Sequence, residues 1–229
     1  MSEKQAIFTM LGGRVCFYRG VYNPTSDAAW LAAMAADTSA KTVLDIGVGT
    51  GGAILCLMAN STIKNATGID VSETMLSQCA RNAELNCQNL ELINADIMNW
   101  HTNRTFDMVI TNPPYFRGTP ANHNAHHNAD IIKWTKKSVA RVKPHGTFCT
   151  IVDTGVSSDV ISTLAAVCGD ITIFPLFSKK HSAERVIIRS RVGTHGPTII
   201  YDGLPMNCNL ILRDGLTIRD TLATLHTQC

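Results

Sequence analysis

The amino-acid sequence predicts an α/β fold built around a largely parallel β-sheet. Short apolar runs alternate with longer segments of helical period, which is the pattern of stacked β–α units. A chain of 229 residues with 45% hydrophobic content can bury a full core, as one domain or as one domain with a small appendage. The apolar runs are far shorter than the roughly eighteen residues needed to span a bilayer. The first ten residues, MSEKQAIFTM, lack the design of a signal peptide, so we expect a cytoplasmic protein.

The alternation can be resolved into individual elements. Helices are predicted after the first, second, fourth and fifth strands, and Ser72 is a candidate N-cap for the second of them. The connection SKKHSA between the last two strands is too short for a parallel crossover, so these strands should form an antiparallel hairpin near the sheet edge. The tail after residue 192 is expected to form a small extension with a helix from Thr217. The predicted strands are 42–46, 66–71, 90–94, 106–112, 147–153, 170–177 and 184–191.

The first predicted strand leads into a glycine-rich loop, in the segment VLDIGVGTGGAI. Gly47, Gly49 and Gly52 satisfy the dinucleotide pattern G-x-G-x-x-G. Asp45, Gly47, Gly49 and Gly51 equally satisfy D-x-G-x-G-x-G, the pattern of S-adenosylmethionine (SAM) binders. The loop by itself does not choose between these ligands.

Polar residues also end the next strands, and ligands of open α/β sheets bind beyond those carboxyl ends. Asp70 closes the second strand, about twenty residues after the loop, where an acid can accept both ribose hydroxyl hydrogens of an adenosine. Asp96 follows the third strand by a few residues. Both acids fit a dinucleotide as well as SAM.

The fourth strand ends in Asn112, Pro113, Pro114 and Tyr115, and this segment separates the two possibilities. Two consecutive prolines fix the backbone and hold the carboxamide of Asn112 and the carbonyl of Pro113 in a rigid, outward geometry. A planar amino group could donate one hydrogen to each oxygen while its ring stacks on Tyr115. Hydride transfer needs no such arrangement, so the segment favours methylation of an amine by SAM.

The segments VLDIGVGTG, GIDVS, NADI and VITNPPYF together resemble the SAM-dependent amino-methyltransferases. Nearly end to end, the chain is similar to the bacterial tRNA adenine-N6-methyltransferases, which modify the adenine beside the anticodon of a valine tRNA. The resemblance implies a Rossmann-like class I SAM-dependent methyltransferase fold, with a seven-stranded, mostly parallel sheet and one antiparallel strand in its edge region. It also implies a single methyltransferase domain, comprising a segment closing over the cofactor (1–40), the core (41–192) and a C-terminal extension (193–229).

The resemblance implies a role for each candidate residue. The catalytic segment comprises Asn112, Pro113, Pro114 and Tyr115, and the opening segment supplies Tyr22 and Asp27 before a Leu/Ala-rich helix. The cofactor site comprises Asp45, Gly47, Gly49 and Gly51 near the methionine part, Asp70 on the ribose with its neighbour Val71, Asp96 on the adenine amino group with its neighbour Ile97, Thr25 and Asp27 over the methionine end, and Asn112.

Other acceptors suit the same segment. A glutamine side-chain amide also fits an NPPY pocket, and Arg19 and NPTSD stand nearer to the opening segment of protein-glutamine methyltransferases. Those enzymes usually carry a larger helical domain before the glycine loop, where this sequence has about 40 residues. A protein-glutamine N5-methyltransferase acting on a release factor is therefore the main alternative. DNA adenine methylation and a catalytically silent SAM-binding protein are further alternatives.

The distribution of charge points to RNA as the partner. The net charge is only +2, yet residues 133–191 contain ten Lys and Arg against four Asp and Glu, a local excess of +6. Such an excess favours binding to a phosphate backbone, and tRNA is the RNA that the resemblance implies. The expected basic face comprises Lys133, Lys137, Arg141, Lys179, Lys180, Arg185, Arg189 and Arg191.

The histidine-rich stretch HNAHH (His123, His126 and His127) could suggest a metal site. Cysteine or carboxylate partners at ligand spacing do not accompany it, so we expect a substrate-facing loop and no metal. Trp30, Trp100 and Trp134 are interpreted as core or edge aromatics.

Overall fold

A central β-sheet of nine strands organises the protein in a computed structural model, which describes residues 6–20, 22–114, 131–179 and 182–227. A separate antiparallel pair, β1 and β2, precedes this sheet along the chain. The strands are β1 (Ile7–Met10), β2 (Val15–Tyr18), β3 (Thr42–Ile46), β4 (Asn65–Asp70), β5 (Leu90–Asn94), β6 (Phe106–Thr111), β7 (Val142–Asp153), β8 (Cys168–Lys179), β9 (Ser182–Val192), β10 (Ile199–Ile200) and β11 (Leu204–Pro205). The helices are α1 (Ser26–Ala35), α2 (Gly52–Ala59), α3 (Glu73–Leu85), α4 (Ile131–Val139), α5 (Thr154–Ala165), α6 (Asn209–Leu212) and α7 (Ile218–His226).

The order of the strands in the central sheet is β10-β8-β9-β7-β6-β3-β4-β5, and β11 also pairs with β8. β9 runs antiparallel to both of its neighbours, whereas the other pairs are parallel. From β3 the chain first proceeds through β4 to β5, and then crosses back to β6 on the other side. The strand order therefore reverses between β3 and β6, and ligands of open α/β sheets bind at this switch point.

The predicted α/β architecture is confirmed, with differences at several strand ends. The described residues form a central sheet of nine strands rather than the expected seven, because the short strands β10 and β11 both pair with β8. β3 and β5 have the predicted bounds, and the expected antiparallel hairpin of β8 and β9 is present. β9, the second strand of this hairpin, lies between β8 and β7. The antiparallel strand is therefore next to the last long strand of the sheet and not at its edge. β7 begins at Val142 rather than at residue 147, and the pair β1–β2 was not predicted at all.

Alternate residues of each central strand point into two hydrophobic cores on opposite faces of the sheet. Val43 belongs to the core beneath α1, α2 and α3, whereas the adjacent Leu44 belongs to the core beneath α4 and α5. Helix α1 is buried along nearly its whole length, from Ala28 to Ala35. It is covered by the C-terminal segment, where the Trp30 indole N–H donates to the carbonyl of Met206 at 3.0 Å. Among the described residues, no helix is long and apolar enough to cross a membrane.

Helix starts follow local side-chain chemistry. The hydroxyl of Ser72 accepts a hydrogen bond from the N–H of Met75, which confirms the predicted N-cap of α3. Thr217 accepts from the N–H of Asp220 in the same way at the start of α7, the predicted C-terminal helix.

Asp107 fastens the ends of three strands opposite the switch point. Its carboxylate accepts hydrogen bonds from the backbone N–H groups of Lys41 and Thr42 and from the Thr42 hydroxyl, at 2.9 to 3.0 Å. The ammonium group of Lys143 lies 2.8 Å away. The hydrogen bond from Lys143, followed by those from Thr42 and Lys41, holds the pKa of Asp107 far below its ordinary value. One carboxylate thus joins the amino ends of β3, β6 and β7.

We expect Asp107→Ala to lower the free energy of unfolding by about 2 kcal/mol at pH 7, because several donors lose a charged acceptor. Since the pKa is lowered in the folded state, this contribution is complete above the ordinary aspartate pKa of about 4 and is lost as the pH falls below it. Urea unfolding at pH 7 and pH 3 measures the difference, with Asp202→Ala at an exposed position as the control. A difference between wild type and variant that does not shrink at pH 3 would contradict this role.

Candidate functional site

The glycine-rich loop lies at the switch point, between β3 and α2. Gly47, Gly49 and Gly51 have φ angles of 73°, 54° and 90°, in the left-handed region where a side chain causes strain. A Cβ atom on Gly51 would lie 2.9 Å from the Cys79 sulfur, whereas one on Gly49 would meet nothing within 4 Å. Gly51 is thus required by packing, while Gly49 borders open space that a ligand can occupy.

The carboxylate of Asp70 holds this loop in place. It accepts hydrogen bonds from the backbone N–H of Gly49 and of Ser72, each at 2.9 Å. A carboxylate offers about four acceptor positions. The two backbone bonds therefore leave acceptor capacity for the hydroxyl pair of a ribose.

Residues after β4 and β5 continue the site. The Asn94 side chain donates to the carbonyls of Asp70 and Val71, at 3.1 and 3.0 Å, and so joins the ends of these strands. Val71 is 68% exposed, an apolar side chain that a planar base could cover. The side chain of Ile97, by contrast, is buried in the core next to the site.

Asp96 is organised by its own turn. One carboxylate oxygen accepts from the N–H of Met98 and the other from the Asn99 side chain, each at 2.9 Å. These bonds orient the carboxylate beyond the end of β5. Its predicted contact with an adenine amino group stays a prediction.

Asp45 is the most deeply buried acid of the site, with 2% exposure. Burial, and then the charge of Asp70, raise the pKa of Asp45 to about 8, while a hydrogen bond from the backbone of Ile54 acts in the opposite direction. Burial thus favours the protonated form of the carboxyl group, and a nearby cation would favour the ionised form.

The diproline corner follows β6, the strand next to β3. Pro113 is buried, whereas Asn112 and Pro114 are partly exposed. Tyr115 lies outside the described residues, so its stacking role stays a prediction. The strand end is fixed because the hydroxyl of Thr111 donates to the carbonyl of Ile46, at 2.8 Å.

Trp134 on α4 is a site residue that sequence reasoning assigned to core or edge packing. Its indole N–H donates to the Thr111 hydroxyl at 3.1 Å. Its ring lies 3.5 Å from the position that a Cβ on Gly47 would take. Trp134 therefore links the glycine loop to the residue before Asn112. A tryptophan on a predicted helix carries no sequence signal for this position.

The opening segment, residues 22–27 between β2 and the first turn of α1, reaches the same region. Pro24 packs against the start of α2, where a Cβ on Gly52 would lie 2.7 Å from the Pro24 side chain. Partial burial, and then the charge of Asp27, raise the pKa of Tyr22. Thr25 immediately precedes α1. This placement agrees with a segment that borders the cofactor loop, and direct contacts of Thr25 and Asp27 with a cofactor stay predictions.

Asp27 has a second partner that the sequence did not indicate. Its carboxylate lies 3.2 Å from the Arg185 guanidinium, which is also 3.0 Å from the carboxylate of Asp153. The Arg185 side chain is only 23% exposed. Arg185 thus contributes to an internal ion-pair cluster at the carboxyl end of the sheet.

The residues of the expected basic face do not share one environment. Lys133 and Lys137 are exposed on α4. Arg141 donates to the carbonyl of Thr102, and Arg189 donates to the carbonyl of Asp37. The side chain of Lys179, the whole of Lys180 and the stretch HNAHH lie outside the described residues. In the described part of the chain, no three His, Cys, Asp or Glu residues are grouped as metal ligands would be.

Comparison with known proteins agrees with this geometry. The crystal structure of a predicted O-methyltransferase from Agrobacterium tumefaciens superposes with a TM-score of 0.66 at 21% identity, covering 79% of this chain and 88% of that one. The fold is that of the class I SAM-dependent methyltransferases, and SAM is the cofactor of that class. The family model of the methyltransferase small domain matches residues 21–174. The chain belongs to that family.

Named relatives fall into two groups. A tRNA1(Val) (adenine(37)-N6)-methyltransferase of Glaesserella parasuis is 28% identical over 129 residues, which cover 53% of this chain and 55% of the relative. One from a Flavobacteriaceae bacterium is 25% identical over 183 residues, covering 78% and 73%. A release factor glutamine methyltransferase of Lactococcus lactis is 37% identical over 73 residues, covering 32% and 27%. The chain thus spans about half the length of the first of these relatives.

We expect Asp45→Asn to stabilise the protein without ligand at alkaline pH. The raised pKa means that the folded protein keeps a proton that the unfolded chain releases, so stability falls from about pH 4 up to pH 8. Asparagine does not ionise and can still accept from Ile54. The melting temperature at pH 8.5 should rise by at least about 2 °C, and the gain should disappear near pH 4.

Differential scanning calorimetry of wild type and Asp45→Asn across this pH range checks the expectation. Asp202→Asn, an exposed aspartate outside the site, is the matched control and should change little. Equal melting temperatures of wild type and Asp45→Asn at pH 8.5 would show that burying the carboxylate costs nothing.

Proposed function

We propose that the protein transfers the methyl group of SAM to the exocyclic N6 amine of an adenine in RNA, with tRNA as the substrate. The observation that carries the proposal is the position of the Asn112–Pro113 corner. It follows β6, the neighbour of β3, so an amine held at the corner lies beside the loop that borders the cofactor. The tRNA adenine-N6-methyltransferases among the relatives support the choice of substrate.

The residues at the switch point fit SAM. Gly49 leaves open space beside the loop, and the carboxylate of Asp70 keeps acceptor capacity toward a ribose. The exposed Val71 offers an apolar contact to the adenine. When bound, SAM supplies an electrophilic methyl group on a sulfonium.

The chain's own contribution to catalysis is polarisation and placement of the amine. The lone pair of an adenine amine is delocalised into the ring, which makes it a poor nucleophile. The side-chain oxygen of Asn112 and the carbonyl of Pro113 accept its two hydrogens and stabilise the positive charge that develops on nitrogen. Placing the amine in line with the methyl group adds a proximity effect that can reach about 7 to 11 kcal/mol in well-oriented reactions.

RNA suits this corner because anticodon loops present bases that are already splayed out. A stacked duplex base would first have to be flipped into the pocket. Lys133 and Lys137 are exposed on α4, the helix that carries Trp134, and could contact the phosphate backbone. The proposed phosphate contacts rest on these two lysines, and the other members of the expected basic face are not needed for them.

Methylation of a protein glutamine is the second candidate. The primary amide of glutamine also has two hydrogens on a planar nitrogen, so the same two acceptors would hold it. The similarity to a release factor glutamine methyltransferase supports this candidate over a short segment.

We expect Asn112→Ala to lower turnover by roughly 100-fold to 1,000-fold, as the loss of one preorganised electrostatic group does in other enzymes. The affinity for SAM should stay close to that of the wild type. Single-turnover rates and calorimetric titration with SAM separate the two effects. Asn103→Ala, at an exposed position before β6, is the control. Near-normal turnover of Asn112→Ala would overturn the mechanism.

Labelling identifies the acceptor. The protein is incubated with radiolabelled SAM and, separately, total tRNA, total rRNA or release-factor protein, and the labelled product is digested and identified. Label in N6-methyladenosine from tRNA is the expected result, whereas label only in methylglutamine selects the second candidate. If phosphates are contacted, the affinity for tRNA should also fall steeply between 50 and 200 mM salt.

A further inference from the structure

Amide side chains of α3 and its C-terminal cap form hydrogen bonds with the outer edge of β2, the edge that does not pair with β1. Three amide side chains, spaced four residues apart along α3 and its C-terminal cap Asn86, face the backbone of β2. Asn86 both accepts from the N–H and donates to the carbonyl of Cys16, at 2.8 and 2.7 Å. Asn82 accepts from the N–H of Tyr18 at 3.0 Å, and Gln78 donates to the carbonyl of Tyr18 at 3.2 Å. The helix thus takes the place of a third strand.

Asn82 differs from the other two amides because its second contact is with the glycine-rich loop. Its side-chain N–H donates to the backbone carbonyl of Thr50, at 2.9 Å. Thr50 lies between Gly49 and Gly51 in the glycine-rich loop. The Asn82 side chain is fully buried. One carboxamide therefore bridges the cofactor loop and the N-terminal strand pair.

The loop needs such an external contact, since its left-handed glycines give it unusual conformational freedom. The Thr50 carbonyl belongs to the peptide group between Thr50 and Gly51, and Gly49, whose N–H donates to the carboxylate of Asp70, lies on the other side of Thr50. Fixing the Thr50 carbonyl therefore limits the conformational freedom of both flanking glycines.

The strand pair leads directly to the opening segment. Past Tyr18 the chain passes through Tyr22, whose carbonyl accepts from Gln78 at 3.3 Å. It then reaches Pro24, which packs at the start of α2. Asn82 thereby connects the glycine-rich loop to the end of β2, from which the opening segment starts.

We infer that Asn82 is a positioning residue for the methyl donor: it holds the glycine loop and the opening segment at a fixed separation, so that SAM is bound in the reactive orientation. This inference rests on the proposed function of the site. Asn82 contacts neither substrate nor cofactor, and it acts through Thr50 and Tyr18.

The test compares Asn82→Ala with Asn86→Ala. Both changes remove bonds between α3 and β2, but only the first removes the bond to Thr50. Calorimetric titration measures the dissociation constant of SAM well below the melting temperature of each variant. Steady-state kinetics with labelled SAM and total tRNA give kcat and both KM values.

For Asn82→Ala we expect SAM affinity to fall by about 10-fold, the equivalent of one well-placed hydrogen bond, and kcat to fall by a similar factor at saturating SAM. The KM for tRNA should be unchanged. Asn86→Ala should keep SAM affinity within about 2-fold of wild type, even if its melting temperature falls as far as that of Asn82→Ala. Equal loss of SAM affinity in both variants would overturn the inference, and so would unchanged affinity and kcat in Asn82→Ala.

A second variant covers the case in which Asn82→Ala does not fold. Asn82→Leu has nearly the shape of asparagine and leaves little cavity, but it cannot donate to Thr50, so it should weaken SAM binding in the same way. Wild-type affinity in Asn82→Leu would overturn the inference. The titration needs no acceptor substrate, so the measured SAM affinity does not depend on whether tRNA is the substrate. The labelling of products tests that assignment separately. A wild type that does not bind SAM would instead refute the proposed function itself.

Discussion

The hydrogen bond from Gly49 to the carboxylate of Asp70 is the contact on which the geometry of the site depends. It joins the loop after β3 to the end of β4. The N–H groups of Gly47 and Val48 add two bonds of 2.9 Å to the carbonyl of Ile69 in the same strand. The loop, which on its own has much freedom, therefore takes its shape from β4. Since β3 and β4 pair in parallel register, the acid assigned to the ribose and the loop are placed by one strand pairing.

The acceptor side of the site is placed by a separate set of contacts on the other side of the switch point. The end of β6 is bonded to β3 through Thr111 and Ile46, and to α4 through Trp134. The diproline corner begins at the next residue, where the prolines leave the backbone little freedom. Loop and corner thus belong to neighbouring strands of one rigid sheet. Transfer between two bound groups requires such placement more than it requires a reactive side chain.

Much of this arrangement follows from local sequence patterns. Periodicity predicts β3 and β5 with their observed bounds, and the shortness of the connection SKKHSA predicts the antiparallel hairpin of β8 and β9. Contacts between distant segments have no such signal. The strands β1 and β2 are short, and the edge of β2 is satisfied by side chains of α3 some sixty to seventy residues away. Asp27 and Arg185 lie 158 residues apart in the sequence, so no local pattern indicates that they pair. A count of charges therefore placed Arg185 on an RNA-binding surface.

The electrostatics of the loop resolve an ambiguity that its glycines leave open. In a dinucleotide site, the loop N–H groups and the following helix start bind a pyrophosphate. Here the N–H of Gly49 already donates to a carboxylate, and a second acid, Asp45, is buried nearby. Burial, and then the charge of Asp70, raise the pKa of Asp45, and a further negative charge nearby would act in the same direction as Asp70. A pyrophosphate would increase that repulsion. The ammonium and sulfonium groups of SAM would relieve it and favour the ionised form of Asp45. Asp45 and Asp70 together therefore favour the binding of a cationic cofactor over that of an anionic one.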